Sequence, residues 1–332
     1  MKGGDSAINP GVRKMFRRYA VLFAGLIPLL AAAADFPAKP IRVVVPWPAG
    51  GSTDTLARIV GQRLTTITGQ TVVVDNRGGA AGTIGVDMVA KAIPDGYTIT
   101  IIEGAHVILP ATTARLPYDL ARDFMPLTLI GVSPQILFLH AGSPAKSFKD
   151  FIALVKAKPG EVAAAHTGIG SFTHLTIELL QSRTGTKFNQ VSYKGAAPAM
   201  IELAGGQVQL GIFTLASAAG TLRTGRITPV AIMGDKRLDA LPDVPTLGEL
   251  GMKDLVINQF WAYVAPVGVP AAIVARLNKD LVAAIDHPSV RERVTDLAVD
   301  VRTTSSAQLK TYIAAELQRW ATVARDAGMK PE

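Results

Sequence analysis

From Lys39 onward the chain alternates between short unbroken apolar runs and longer stretches whose apolar residues recur every three or four positions. Lys39-Pro-Ile-Arg-Val-Val-Val45 is β-branched and lacks polar alternation, as in a strand covered on both faces. A glycine loop, Pro46 to Asp54, follows it. Leu56, Ile59, Val60, Leu64 and Ile67 then lie along one helical face. The cycle repeats with a strand at 71–74, a loop at 77–82, a helix at 84–92 and a strand at 97–102. Strands alternating with helices of this length predict a parallel sheet covered on both sides, an α/β fold.

Beyond residue 120 the pattern changes. Two extended stretches, 124–130 and 135–139, are separated by Pro134, and Ser147 is placed to cap a helix carrying Phe151, Leu154 and Val155. A second βα series is predicted next: a strand at 162–165, the loop His166-Thr-Gly-Ile-Gly-Ser171, a helix at 173–183, a strand at 190–193, a βα turn at 194–198 and strands at 208–213 and 229–233. Residues 261–265 are extended and positioned to cross back. Ile273, Val274, Leu277, Leu281 and Ile285 define one closing helix, and Leu309, Tyr312, Ile313, Leu317, Trp320 and Val323 another.

Composition narrows the class. The 332 residues are 48% hydrophobic and 18% charged, with 31 glycines and 21 prolines, which suits many strand–turn–helix junctions and excludes coiled coil and disorder. With no cysteine, the chain has no disulfide, thiolate ligand, cysteine nucleophile or lipidated N-terminal cysteine. Of the net charge of +8, Lys2, Arg13, Lys14, Arg17 and Arg18 against Asp5 put +4 into the first 34 residues. Met15-Phe-Arg-Arg-Tyr, the apolar run 20–30 and Ala31-Ala-Ala-Ala34 follow the plan of a secretory signal, with cleavage expected after Ala34 and Met15 an alternative start. A buried core helix is the competing reading of this segment. The remaining cations are scattered singly, so a nucleic-acid partner is not expected.

Two loops carry the candidate chemistry, one in each βα series: Pro48-Ala-Gly-Gly-Ser-Thr-Asp54 and Thr167-Gly-Ile-Gly-Ser-Phe-Thr173. Each leaves a strand and opens a helix, which gathers unpaired backbone N–H groups and the positive end of the helix dipole at one point. Such a point binds anions, and Ser52, Thr53, Ser171 and Thr173 add hydroxyls; capped tight turns would share this pattern. Neither loop is a dinucleotide fingerprint or a P-loop. Among the five histidines no His-Glu-x-x-His pair occurs, so no metal and no cofactor are expected. No Gly-x-Ser-x-Gly elbow is present, so a catalytic triad is not supported and no catalytic residue is assigned. Glu103 and Glu178 are the best candidates for inward carboxylates, without an assigned role. Trp47, Phe172 and Phe213 stand near strand ends, where a ring covers a ligand or simply fills the core.

The segment Phe36 to Asp54, reading Phe-Pro-x-Lys-Pro-Ile-Arg-Val-Val-Val-Pro-Trp-Pro-x-Gly-Gly-x-x-Asp, resembles the opening of the mature Bug proteins, the receptors of tripartite tricarboxylate transporters. Similarity continues through Val74-Asp-Asn-Arg-Gly-Gly, Leu116-Pro-Tyr-Asp119, the second glycine loop, Tyr193-Lys-Gly195 and Leu241-Pro-Asp-Val-Pro-Thr246, and spans essentially 35–328. The resemblance implies a periplasmic solute-binding protein of type II-like architecture, with two lobes, each a mostly parallel sheet flanked by helices, joined by two crossing segments. The lobes are expected at 35–132 with 259–332, and at 133–258. It implies a non-enzymatic, monomeric receptor that closes on a small carboxylate (a dicarboxylate, amino acid or aromatic acid). Its partners would be inner-membrane transporter subunits or a sensor kinase.

The carboxylate is expected between Trp47, Ala49, Gly50, Gly51, Ser52, Thr53 and Asp54 on one side and Thr167, Gly168, Gly170, Ser171, Thr173 and His174 on the other. The remote end of the ligand is expected to meet Gly82, Ala105, His106, Gly195, Ala196 and Phe213. This chain departs from common family patterns at Gly78 and Ser192, where proline is frequent, and at His166, where a small residue is usual.

Overall fold

The computed structural model describes residues 36–253 and 255–326; the expected leader and its cleavage point lie outside the described residues. From Lys39 the elements run β1 (Ile41–Val45), α1 (Ser52–Thr68), β2 (Val72–Asn76), α2 (Thr83–Ala90), β3 (Thr98–Glu103), α3 (Gly104–Thr112), β4 (Phe124–Pro134) and β5 (Ile136–His140). They continue as α4 (Phe148–Ala157), β6 (Ala163–His166), α5 (Phe172–Thr184), β7 (Asn189–Ser192), α6 (Ala196–Gly205), β8 (Leu210–Phe213), α7 (Leu215–Leu222) and β9 (Ile227–Ile232). The last are β10 (Asn258–Pro266), α8 (Ala271–Ile285), α9 (Pro288–Thr295), β11 (Asp300–Val301) and α10 (Ser306–Asp326).

These strands form two sheets, ordered β11-β4-β10-β3-β1-β2 and β7-β6-β8-β5-β9. Each is mixed rather than mostly parallel. The βα series supply the parallel pairs, with Val43 opposite Val74 and Ile99 in the first sheet and Ala164 opposite Gln190 and Leu210 in the second. The strands that carry the chain out and back run antiparallel, β10 lying between β3 and β4 with Trp261 opposite both Glu103 and Gly131. A strand that returns across the molecule points against the strand that left, a constraint local pattern does not express.

Burial follows the apolar runs. Ile41, Val43, Val44 and Val45 are fully buried, as are Trp261 and Tyr263 on β10, while Ile136, Phe138, Ala165, Leu203 and Ile232 belong to a second core around the other sheet. Ser147 caps α4 as expected, its Oγ accepting the Asp150 N–H at 3.1 Å. The helices α3 and α7 were not expected. Gly104-Ala-His-Val-Ile-Leu-Pro continues an apolar strand without a break, and Leu215-Ala-Ser-Ala-Ala is short and alanine-rich, so neither shows an amphipathic period.

The sheets are joined where the chain passes through Gln135 and returns before Asn258. Gln135 N–H donates to Ile257 O at 3.0 Å, Met233 N–H to Gln135 O at 2.8 Å, and Ile257 N–H to Met233 O at 2.8 Å. Outgoing and returning segments are therefore bonded side by side.

Candidate functional site

A cavity lies above this junction. Trp47, Pro48, Gly51, Ser52, Thr53, Glu103 and Gln259 line it from the first sheet's side; Thr167, Phe172, Thr173, Ala196, Phe213, Thr214 and Ser217 line it from the second, and Gln135 from the junction. The volume open to the centre of a water molecule is about 40 Å³. That exceeds the roughly 10–15 Å³ one water needs. Gln135 Oε1 and Thr214 Oγ1 are buried here without a hydrogen-bond partner among the described residues. Buried polar atoms at a cavity wall are normally satisfied by something inside it.

The first glycine loop reaches this wall through the start of α1. Asp54 accepts the Gly50 N–H at 3.0 Å, the Asn76 amide at 3.0 Å and the Arg58 Nε at 3.1 Å. Burial works to raise the Asp54 carboxyl, and these donors outweigh it, holding it below the usual carboxylate range. Asp54 therefore braces the loop. The Ser52 N–H donates to Ser217 Oγ of α7 at 3.2 Å, a bond from one lobe to the other. The N–H groups of Thr53 and Asp54 find no protein acceptor among the described residues, as expected for the first turn of a helix.

The second loop is tied within itself. Ser171, fully buried, caps α5 by accepting the His174 N–H at 3.3 Å; Thr173 Oγ1 accepts the Thr167 N–H at 2.9 Å and bonds the hydroxyls of Thr167 and Ser171; His174 Nδ1 accepts the Gly170 N–H at 3.1 Å. The His166 and His174 rings pack against each other with centroids 4.6 Å apart and planes tilted by 30°. Burial lowers the His166 pKa, and His174 adds to the effect. Both rings are outside the cavity wall.

Glu103, at the end of β3, is only 6% exposed and forms part of the wall. Thr53 Oγ1 donates to Glu103 Oε2 and accepts the Trp261 Nε1–H at 3.2 Å. The Glu103 side chain also caps α3, while its own N–H donates to His106 Nδ1 at 3.0 Å. Burial raises the Glu103 carboxyl to about 7, against the pull of the Thr53 hydroxyl and of the nearby polar groups of Gln259, Trp261 and Trp47. Burial lowers the fully enclosed His106 to about 4, so that its ring is neutral.

Of the expected site residues, Trp47, Gly51, Ser52, Thr53, Thr167, Thr173, Ala196 and Phe213 line the cavity. Gly168 lines an adjoining outer groove that shares Trp47 and Thr167 with it and carries Arg115 and Lys194. Ala49, Gly50, Asp54, Gly82, Ala105, His106, Gly170, Ser171, His174 and Gly195 lie outside the cavity wall. Several of these hold the wall in place. A Cβ on Gly82 would come 2.7 Å from His106 Nε2 and 3.4 Å from the Trp47 ring. Glu103, Gln135, Thr214, Ser217 and Gln259 were not expected in the wall: a lone polar residue in or beside an apolar strand, or at the start of an alanine-rich helix, carries no signal of which residues face it. Of the departures, Gly78 lies where a Cβ would approach Pro48 Cδ to 2.9 Å, and Ser192 is exposed on the outer groove.

The two sides meet closely. A Cβ on Gly195 would lie 2.9 Å from Pro48, and one on Gly104 would lie 2.6 Å from the ring of Phe172, which also packs edge-on to Trp320 of α10 at 5.3 Å. With the Ser52–Ser217 bond, these contacts describe a cleft closed over its cavity. Among the described residues no cluster of three His, Cys, Asp or Glu is placed to hold a metal, and no helix is long and apolar enough to cross a membrane.

The model of the tripartite tricarboxylate transporter family receptor matches residues 56–329. Protein BugT of Bordetella pertussis is 36% identical over 301 residues, covering 90% of this chain and 92% of BugT. Among solved structures, an R. palustris protein with adipate superposes with a TM-score of 0.86 at 33% identity, covering 90% of this chain and 100% of that one. MatC from Rhodopseudomonas palustris with bound malate gives 0.81 at 32%, covering 87% and 99%.

Proposed function

Because the chain belongs to the tripartite tricarboxylate transporter receptor family and has the two-lobed fold of periplasmic binding proteins, we propose that it captures a small dicarboxylate in the cleft described above, without chemical conversion. The observation that carries this reading is the convergence of two helix N-termini, α1 and α5, on one small polar cavity. The α1 amides of Thr53 and Asp54 lack a protein acceptor, and the cavity wall contains no lysine, arginine or histidine. Backbone amides and helix dipoles suit an anion without needing a side-chain cation. That two related structures hold adipate and malate favours dicarboxylates over aromatic acids.

The moving bodies in this reading are residues 35–132 with 259–332, and residues 133–258, hinged at Gln135 and before Asn258. Closure is driven by a ligand that touches both lobes only when they are together, since a ligand shifts an equilibrium by its differential affinity for the two states. The closed form would then be recognised by inner-membrane transporter subunits, after export and cleavage near Ala34. An intact-mass measurement on the periplasmic fraction tests the export step, and a dominant species retaining Phe23 would reject it.

A thermal-shift panel of succinate, glutarate, adipate and malate against their diamides tests the ligand class. Ligand at 100 times its dissociation constant adds about 2.7 kcal/mol of stability. Diamides that match the acids would overturn the anion reading.

A further inference from the structure

If the cleft takes a carboxylate, as read above, Glu103 is a group of the wrong sign in its wall. It is buried, lines the same small cavity as the α1 and α5 N-termini, and has no cation among the residues lining that cavity. The titratable groups on the elements packed around it offer none either. His106 on α3 is neutral; Asp54 on α1 is paired with Arg58; Tyr263 on β10 is a buried phenol whose pKa is pushed up; His174 and Glu178 on α5 stand outside the wall. Two carboxylates enclosed together without a counter-charge do not both stay ionised.

Thr53 shows what the proton would do. A hydroxyl has one hydrogen to give and two lone pairs to receive. Here it receives the Trp261 N–H and gives its hydrogen to Glu103, so with Glu103 ionised it has none for an occupant. With Glu103 protonated the bond between them reverses: the acid donates to Thr53 Oγ1, both lone pairs are filled, and the Thr53 hydrogen is released to point into the cavity.

We propose that Glu103 takes a proton from solvent as a dicarboxylate binds, and that the neutral acid turns the Thr53 hydroxyl into a donor toward the bound carboxylate. Glu103 thus acts through Thr53 as a specificity-determining, positioning residue. The only covalent change is the transfer of one proton to Glu103 from hydronium or the acid form of the buffer: one O–H bond forms on the carboxylate as one bond to hydrogen breaks in the donor, which leaves as its conjugate base. The buried Glu103 carboxyl sits close enough to neutrality for this step to occur within the ordinary pH range.

The test is isothermal calorimetry with succinate, glutarate and adipate at pH 6 and pH 8, in two buffers of different ionisation enthalpy, on the full mature protein and on Glu103→Gln. The wild type should take up about one proton per ligand at pH 8, with affinity falling about tenfold per pH unit above pH 7 and level below it. Glu103→Gln, whose amide can donate to Thr53 permanently, should take up none, and its affinity at pH 8 should stay within threefold of its own affinity at pH 6. Absence of uptake by the wild type at pH 8 would overturn the proposal, and that measurement needs no variant. Equal uptake by Glu103→Gln would also overturn it, since the proton would then belong to the ligand or to another group. If none of the three acids binds either protein, the carboxylate reading fails and takes the proposal with it, an outcome distinct from binding without proton uptake.

Discussion

The two glycine loops look alike in sequence and behave differently in the folded chain. In the second, Ser171, Thr173 and His174 satisfy the loop's own N–H groups, so its shape is set within one lobe. In the first, Asp54 braces Gly50 and Thr53 bonds Glu103 and Trp261 of its own lobe, while the Ser52 N–H reaches Ser217 of the other lobe. On the proposed closure, the second loop would be organised beforehand and the first would gain the Ser52–Ser217 bond. If the chain opens and shuts as proposed, this division would let one half keep its geometry while the other half registers that the lobes have met.

Ser171→Asp should have the largest effect. A fixed carboxylate beside the α5 N-terminus would oppose a bound carboxylate by about 4 kcal/mol at ~4 Å with an effective dielectric near 20, and even half of that is more than tenfold in affinity. Asp is itself a good N-cap but brings extra volume and charge to a fully buried position, so the free protein should melt somewhat below the wild type, and it is the loss of affinity beyond that which carries the test. Titration with the best acid of the panel, alongside melting of the free protein, separates the two; binding within threefold of wild type would remove this loop from the anchor.

Next in size is Thr173→Val, which leaves the Thr167 N–H without its acceptor and should cost the free protein about 1–3 kcal/mol. Denaturant unfolding without ligand should register it. An unchanged midpoint would mean that the second loop is not organised before closure.

Ser217→Ala touches only the bond made between lobes. The free protein should unfold as wild type, while affinity should fall about two- to tenfold, the value of one ordinary hydrogen bond. Equal losses of stability and affinity would make the Ser52–Ser217 bond a feature of the free protein as well.

The smallest effect concerns pH and the first loop's neighbourhood alone. Glu103, raised to about 7, keeps in the folded state a proton that the unfolded chain has lost, so its contribution is full at low pH and disappears as pH rises through 7. His106, lowered to about 4, lacks in the folded state a proton that the unfolded chain holds below about 6.5, so its contribution is present above that and is lost as pH falls toward 4. Between about pH 4.5 and 6.5 the two slopes oppose, and the wild-type Tm should change little on their account. Glu103→Gln should expose the His106 slope as a Tm that climbs with pH across this window; melting curves at its two ends check it.

Much of this was open to reading along the chain. The β-branched run at 41–45, the period of Leu56, Ile59, Val60 and Leu64, and the cap at Ser147 are local signals, and each produced its element. The two glycine loops were also legible, because Gly, Ser and Thr between a strand and a helix leave few other backbone solutions. Not legible were α3 and α7, whose uniformly apolar or alanine-rich sequences have no face to detect, and the antiparallel return of β10.

The sequence by itself determined the alternation of strand, loop and helix, the two anion-suited turns and the absence of thiol chemistry, since these depend on neighbours in the chain. Only the tertiary structure decided which side chains stand together in the wall. Glu103 meets Thr53 and Trp261 because β10 inserts between β3 and β4, and Ser217 reaches Ser52 because α7 of the second lobe packs against α1 of the first. Those partners are 50 to 208 residues apart in the chain, where residue type and spacing carry no directional information and only packing selects the neighbour.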